Sequence, residues 1–225
     1  MVLPQIAPTT APPAPPVVRL AQRPVERKRV IPRKAFAPDR AWPPPQGQWT
    51  YADWLRLPED GWRYEVIKGE LYMTPGPSTQ HQGVCLNLTL AFAAFVNRRL
   101  AGKLFFAPID VYLPVQETPV QPDLLFVSAE RASIISERGI EGAPDLVVEI
   151  ASPNTWWKDM RVKLSLYQES SVREYWMIDI TTKTVHVLTL RGLHYATLGQ
   201  WGSGQTVASE VLDGFEIAVD AIFAV

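Results

Sequence analysis

The stretch Asp145-Leu146-Val147-Val148-Glu149-Ile150 (DLVVEI) decides the fold. It reads as a short apolar β-strand interrupted by one carboxylate. The side-chain period of two puts Asp145, Val147 and Glu149 on one face and Leu146, Val148 and Ile150 on the other. Glu149 stands among apolar neighbours, where an unpaired carboxylate is costly to desolvate. Downstream comes the turn Ser152-Pro153-Asn154-Thr155, then an amphipathic helix over 159–170 with Met160, Leu164 and Tyr167 on one side. Asp159, Lys163 and Tyr167, spaced by four, stack on one helical face. Residues 174–179 and 184–190 form a hairpin across Thr181-Thr182-Lys183. Upstream, QPDLLFV (121–127) places Asp123 at the head of a second apolar strand.

Further toward the N-terminus, Thr50 and Asp53 form a capping box that opens a short helix, closed by Pro58. Residues 64–73 read as two short strands bent at Lys68-Gly69. A helix spans 80–100, with Val84, Leu88, Ala91, Phe92 and Phe95 at spacings of three and four, and Gly102 stops it. Residues 104–113 are β-like, and the C-terminal stretch holds short β segments with no internal repeat. Strands outnumber helices and at least one helix links neighbouring strands. The class is α/β, a central mixed sheet flanked by helices.

Hydrophobic content of 47% with 20% charged residues excludes a fully disordered chain. No apolar run reaches the roughly 18–20 residues of a membrane span. Cys85 is the single cysteine, and three separated histidines add no zinc cluster to it. The opening MVLPQIAPTTAPPAPP has neither the basic start nor the apolar stretch of a secretory signal, so the expected compartment is the cytoplasm. Charge is unevenly spread. Residues 1–47 hold 12 of the 21 prolines and eight Lys/Arg against Glu26 and Asp39, a net of +6, which leaves the remainder at −7. Residues 1–47 are therefore expected to be a disordered, proline-rich basic arm, serving either as an interaction tail or as a plain solvated extension. Residues 48–225 form the folded domain.

Phosphate-loop, GxGxxG, GxSxG and HExxH signatures are absent. The chemistry lies in acids placed on strands. Asp123 and Glu149, at matching ends of adjacent strands, would offer a hard, oxygen-rich site for Mg²⁺ or Mn²⁺. Each alone reads more readily as an ordinary strand-end acid that caps a turn or pairs with a surface lysine. Lys163 on the following helix would bring its ammonium back toward the carboxylates, to stabilise charge on a phosphate or orient a water. Its plainer role is an exposed i, i+4 pair with Asp159.

Taken together, YEVIKGEL (64–71), the Pro-Ser-x-x-His pattern of 77–81, QPDLLFV (121–127), GAPDLVVEIASPNT (142–155), the spaced Asp159, Lys163 and Tyr167, EYWMID (174–179) and SEVLDGFEIAVDAIF (209–223) carry a resemblance. The chain resembles the Uma-two-type proteins, grouped with the PD-(D/E)XK restriction-endonuclease-like nucleases. That resemblance implies a restriction-endonuclease-like fold and a metal-dependent endonuclease acting on DNA. It assigns Pro122-Asp123 as the PD, and Asp123, Glu149 and the Ile150 carbonyl as holders of Mg²⁺ (or Mn²⁺). Glu65 matches a further acid near the metal. Ala151 stands where the superfamily usually has lysine, and Lys163 is the candidate that has moved to the helix. His81 matches a position whose role does not follow from its residue type. Trp156-Trp157 replaces a more usual basic pair and offers stacking surfaces instead.

A body of net charge −7 is a poor polyanion binder. The +6 arm would supply positive potential, in trans if the protein is a homodimer. The alternative is a catalytically inactive nuclease-fold scaffold or interaction module, favoured by that acidity and by Ala151; hydrolysis of a smaller phosphoester has no positive signal. Limited proteolysis of the full chain is expected to trim the arm before it cuts the body. A protease-resistant N-terminus would show the arm docked.

Overall fold

The computed structural model describes residues 42–151 and 156–225, and residues 156–160 by their backbone alone. The expected arm over 1–41, the turn over 152–155 and the side chains of Trp156, Trp157 and Asp159 lie outside the described residues. Residues 42–47, assigned to the arm by their prolines, belong to the folded body. The Gln46 amide donates to the Leu71 carbonyl at 3.0 Å and accepts from the Leu71 N–H at 2.7 Å. Trp42 packs edge-on against Trp49 at 5.5 Å, with the Arg56 guanidinium 3.7 Å over its ring. Proline prevents regular hydrogen bonding but leaves neighbouring aromatic rings free to pack, which is why composition alone set the boundary too late.

Helix α1 (Tyr51–Trp54) carries the expected capping box: Thr50 Oγ1 accepts from the Asp53 N–H, and the Asp53 carboxylate accepts from the Thr50 N–H. Strands β1 (Arg63–Ile67) and β2 (Glu70–Thr74) form a hairpin turned by Lys68 and Gly69 at φ 51° and 80°. Helix α2 (Thr79–Arg99) starts at Ser78, whose hydroxyl accepts from the His81 N–H. It stops at Leu100, held at φ 52°, rather than at Gly102. Gly102 instead opens β3 (Gly102–Phe106), where a Cβ would lie 2.1 Å from the Val127 carbonyl oxygen. Strand β3 is half the length expected from 104–113, because the chain turns away at Pro108.

Strand β4 (Leu124–Ser128) leads through a 3₁₀ turn (Ala129–Ile134) to the short strands β5 (Ile135–Ser136) and β6 (Gly139–Ile140). Then come β7 (Leu146–Ala151), α3 (Trp156–Glu169), β8 (Glu174–Asp179), β9 (Thr184–Arg191) and β10 (His194–Trp201). Strands β11 (Thr206–Ala208) and β12 (Glu216–Ala218) and helix α4 (Val219–Ile222) close the chain. The central sheet has six strands in the order β10-β9-β8-β7-β4-β3. It is mixed: β7 and β8 run parallel across the α3 connection, and the other neighbours are antiparallel. Among the described residues no helix is long and apolar enough to cross a membrane.

Strand alternation divides the core into two layers. Leu124, Phe126, Leu146, Val148, Ile150 and Trp176 face α2 and the C-terminal segment, meeting Leu88, Phe92 and Phe215. Leu125, Val127, Val147, Ala151, Tyr175 and Met177 face α3 and the β1–β2 side, meeting Leu166, Tyr167 and Ile67. Glu149 has the parity of this second layer. On α3 the inward face is Lys163, Leu166 and Tyr167, while Leu164 is only partly buried. The face that the apolar pattern centred on Leu164 is thus rotated, and the lysine lies inside it. Phe92, fully buried and stacked on Phe215 at 4.4 Å, anchors the first layer. Phe92→Ala is expected to cost about 3–5 kcal/mol of unfolding free energy, whereas Leu90→Ala, at a 60% exposed position, stays within about 0.5 kcal/mol. Chemical denaturation of both variants checks the contrast.

Candidate active site

Antiparallel β4 and β7 pair with Leu124 opposite Val148. Continuing that register by one residue sets Asp123 opposite Glu149, a position at which Cβ atoms stand about 4.5–5.5 Å apart. Both acids are buried, at 2% and 6% exposure, on the face covered by α3. Glu65, at 3%, enters from the middle of β1.

The Lys163 ammonium joins two of these acids. Its Nζ lies 3.0 Å and 3.1 Å from the Glu149 oxygens and 3.0 Å from Glu65 Oε2. The Tyr167 hydroxyl, one turn along α3, donates to Glu149 Oε1 at 2.6 Å. Glu65 Oε1 accepts from the Gln121 backbone N–H at 2.9 Å. Asp123 is held by other groups. Its Oδ2 accepts from the Ile150 N–H at 2.8 Å and lies 3.2 Å from His81 Nε2, while Oδ1 lies 3.3 Å from Arg63 Nη1. The structure therefore brings together Glu65, Asp123, Glu149, Ile150 and Lys163, and adds His81 at the start of α2. His81 Nδ1 is buried with no partner among the described residues.

Two participants escape the sequence reading. Arg63 binds both Asp123 and the Gln121 carbonyl, the latter at 3.3 Å. Its signal was present: on a strand, residues 63 and 65 share a face, so an arginine two before Glu65 points the same way. Tyr167 was placed on the Lys163 face, but nothing in the spacing shows that its hydroxyl ends on Glu149.

Burial pushes the Glu149 carboxyl up, and the like charges of Asp123 and Glu65 add to this; Lys163 and Tyr167 oppose it, and the balance leaves it at about 7. Burial also opposes charge on Lys163, but Glu149, Glu65 and Asp123 outweigh it and hold the ammonium above its ordinary range. Desolvation raises Asp123 too, yet His81, Arg63 and the Ile150 N–H bring its carboxyl below the usual range.

Among the described residues no three His, Cys, Asp or Glu side chains form a ready metal cage. The acids are not the unpaired cluster the sequence suggested, because Lys163, Arg63 and His81 take up their oxygens. The donor chemistry nonetheless fits Mg²⁺ or Mn²⁺: the oxygens are hard, and three carboxylates face the side chains of two permanent cations. Burial first, and that excess of acids second, raise the Glu149 carboxyl to about 7.

Residues 51–220 match the Uma2 family, described as "Putative restriction endonuclease". The chain belongs to the Uma2 family. A solved structure from Anabaena variabilis ATCC 29413, titled as a putative nuclease belonging to DUF820, superposes on it with a TM-score of 0.64. The two are 18% identical over 78% of this chain and 98% of the other, which establishes the shared fold. No curated protein matches the chain.

The Glu149 carboxyl gives this Uma2 protein a measurable pH dependence. Between pH 4.5, the ordinary value, and about 7 the folded protein holds a proton that the unfolded chain has released. Stability in metal-free buffer therefore falls as pH rises through that window and levels off above it, by about 3 kcal/mol in all. Asp123, held low, titrates beneath the window. Glu149→Gln is expected to flatten the slope. Equal slopes in both proteins would remove Glu149 as its source.

Proposed function

We propose that this chain is a divalent-metal-dependent endonuclease that hydrolyses phosphodiester bonds, with DNA as its substrate. The observation that carries the reading is the buried convergence of Glu65, Asp123 and Glu149 on one sheet face with Lys163 among them. Membership of a family described as "Putative restriction endonuclease" supports it. Lys163 and Arg63 offset two of the three acids, and the one left over is the charge that a divalent cation would take up.

Asp123, Glu149 and the Ile150 carbonyl would hold Mg²⁺ or Mn²⁺, which supplies an acidified water and neutralises charge on a phosphate oxygen. The chain's own residues do the rest. The Ile150 N–H and His81 fix the Asp123 carboxylate, as Tyr167 fixes that of Glu149. Lys163 keeps its charge; its N–H groups meet both Glu149 oxygens and Glu65 Oε2, and one drawn off Glu149 would serve a phosphate oxygen or the attacking water. Arg63 presents its remaining N–H groups to the same phosphate. Glu65, pinned by the Gln121 N–H, positions Lys163 and completes the acid set, directly or through a water. The basic N-terminal arm adds the positive potential that the body lacks, in trans if two chains pair.

A second reading has its own observation. Lys163 already satisfies Glu149 and Glu65, as it would in a self-contained ion-pair network of an inactive scaffold. Cleavage assays on supercoiled, linear and single-stranded DNA separate the two. The nuclease reading expects Mg²⁺- or Mn²⁺-dependent cleavage, reduced at least about 100-fold by Asp123→Asn or Glu149→Gln. Folded wild-type protein that is as inert as both variants would establish the scaffold.

A further inference from the structure

Beside the acid cluster lies a cavity of about 320 Å³, lined in part by Asp110, Gln121, Ser136, Glu137 and Arg138. Both of its near sides spring from the site. The Ala107 N–H donates to the Asp123 carbonyl at 3.0 Å, and Pro108 follows at the cavity wall. Gln121 gives its backbone N–H to Glu65 and its carbonyl to Arg63, while its side chain lines the cavity.

The far wall is the tip of the β5–β6 hairpin, and it is fixed in place. The Ile140 N–H donates to the Asp110 carbonyl at 2.9 Å, and the Tyr112 N–H donates to the Ile140 carbonyl at 2.8 Å. Gly139, at φ 143°, permits this approach: a Cβ there would lie 2.2 Å from the Asp110 carbonyl oxygen. The excursion between β4 and β7 is thus laced to the segment that precedes β4.

The lining is rich in acceptors and holds one guanidinium. Asp110 accepts from the Gln121 amide at 2.9 Å and from the Tyr112 hydroxyl at 3.4 Å, which leaves carboxylate lone pairs to spare. Among the described residues Glu137 takes part in no hydrogen bond or ion pair. The Arg138 guanidinium lies 3.9 Å over the Tyr112 ring with its Nε on Glu141, so its terminal N–H groups remain for a ligand. A guanine base complements this pattern: its N1–H and amino group donate to a carboxylate, and O6 accepts from a guanidinium. Thymine has no amino group and presents two carbonyl oxygens to the same acids. The volume is at the low end of ligand pockets, about 300–1,000 Å³, and suits one base. A base inside a duplex cannot enter, so the base must be unpaired or extruded.

We propose that this cavity is a nucleobase subsite that takes an unpaired guanine of the strand whose phosphate lies at the acid cluster. The inference rests on the nuclease reading and deepens it, naming a substrate with an accessible base beside the scissile bond. The test titrates isotope-labelled full-length protein with 2′-deoxyguanosine and with thymidine, nucleosides that carry no phosphate to bind elsewhere. Deoxyguanosine is expected to shift the amide resonances of Gln121, Ser136 and Gly139 saturably, and thymidine is not. The double variant Glu137→Ala/Arg138→Ala, both at exposed positions, should weaken deoxyguanosine about tenfold, the loss of one bidentate base contact. Unmoved resonances, equal shifts from thymidine, or undiminished binding by the double variant would overturn the subsite. Wild-type protein that cleaves DNA while ignoring deoxyguanosine refutes the subsite alone; protein that binds deoxyguanosine but cleaves no nucleic acid refutes the nuclease.

Discussion

One ammonium group organises this protein. Lys163 reaches from α3 to Glu149 on β7 and Glu65 on β1, and so ties three elements that are distant in sequence. Removing it would leave two buried carboxylates without a cation, the most costly way to break such a network. Tyr167 and the apolar Leu166 share its face of α3, so the packing that buries the helix also delivers the charge. The parallel β7–β8 pair follows from the same helix, whose crossover sets the two strands side by side.

Around that pivot the site holds two carboxylates in different electrical states. Asp123 is stabilised as an anion by His81, Arg63 and a backbone N–H, whereas burial, together with two other acids, pushes the Glu149 carboxyl up to about 7. Two cations against three acids leave one negative charge over. A proton on Glu149 offsets it, whereas a divalent ion would more than offset it and leave positive charge to meet a phosphate, which links the structural network to the proposed chemistry. The −7 body looks less adverse to a polyanion once Glu65, Asp123, Asp145, Glu149 and Glu174 are seen to be buried, with their charge turned inward.

Much of this was legible in the residues themselves. The period of two in DLVVEI placed Glu149 on the correct face, and Thr50 with Asp53 marked a real capping box. Spacing by four put Lys163 and Tyr167 together. The meeting of Asp123 with Glu149 was not legible from either strand, because it depends on the register of β4 against β7, a tertiary fact. The end of α2 near 100 was legible, but its cause was not: Leu100 itself takes the left-handed conformation against its own preference, where Gly102 was the natural stop signal. Residues 42–47 were missed because the contacts that dock them reach Leu71, 25 residues from Gln46. Arg63 was overlooked although strand parity pointed to it.

The central claim is that Asp123 and Glu149 hold a divalent cation between β4 and β7. The most direct measurement is anomalous diffraction from crystals of the full chain soaked in Mn²⁺ above pH 7, where Glu149 has lost its proton. The account predicts an anomalous peak about 2.0–2.6 Å from oxygens of both carboxylates, with Lys163 drawn off at least one Glu149 oxygen. A map with no peak there, and with Lys163 still bridging Glu149 and Glu65 at saturating Mn²⁺, would contradict it.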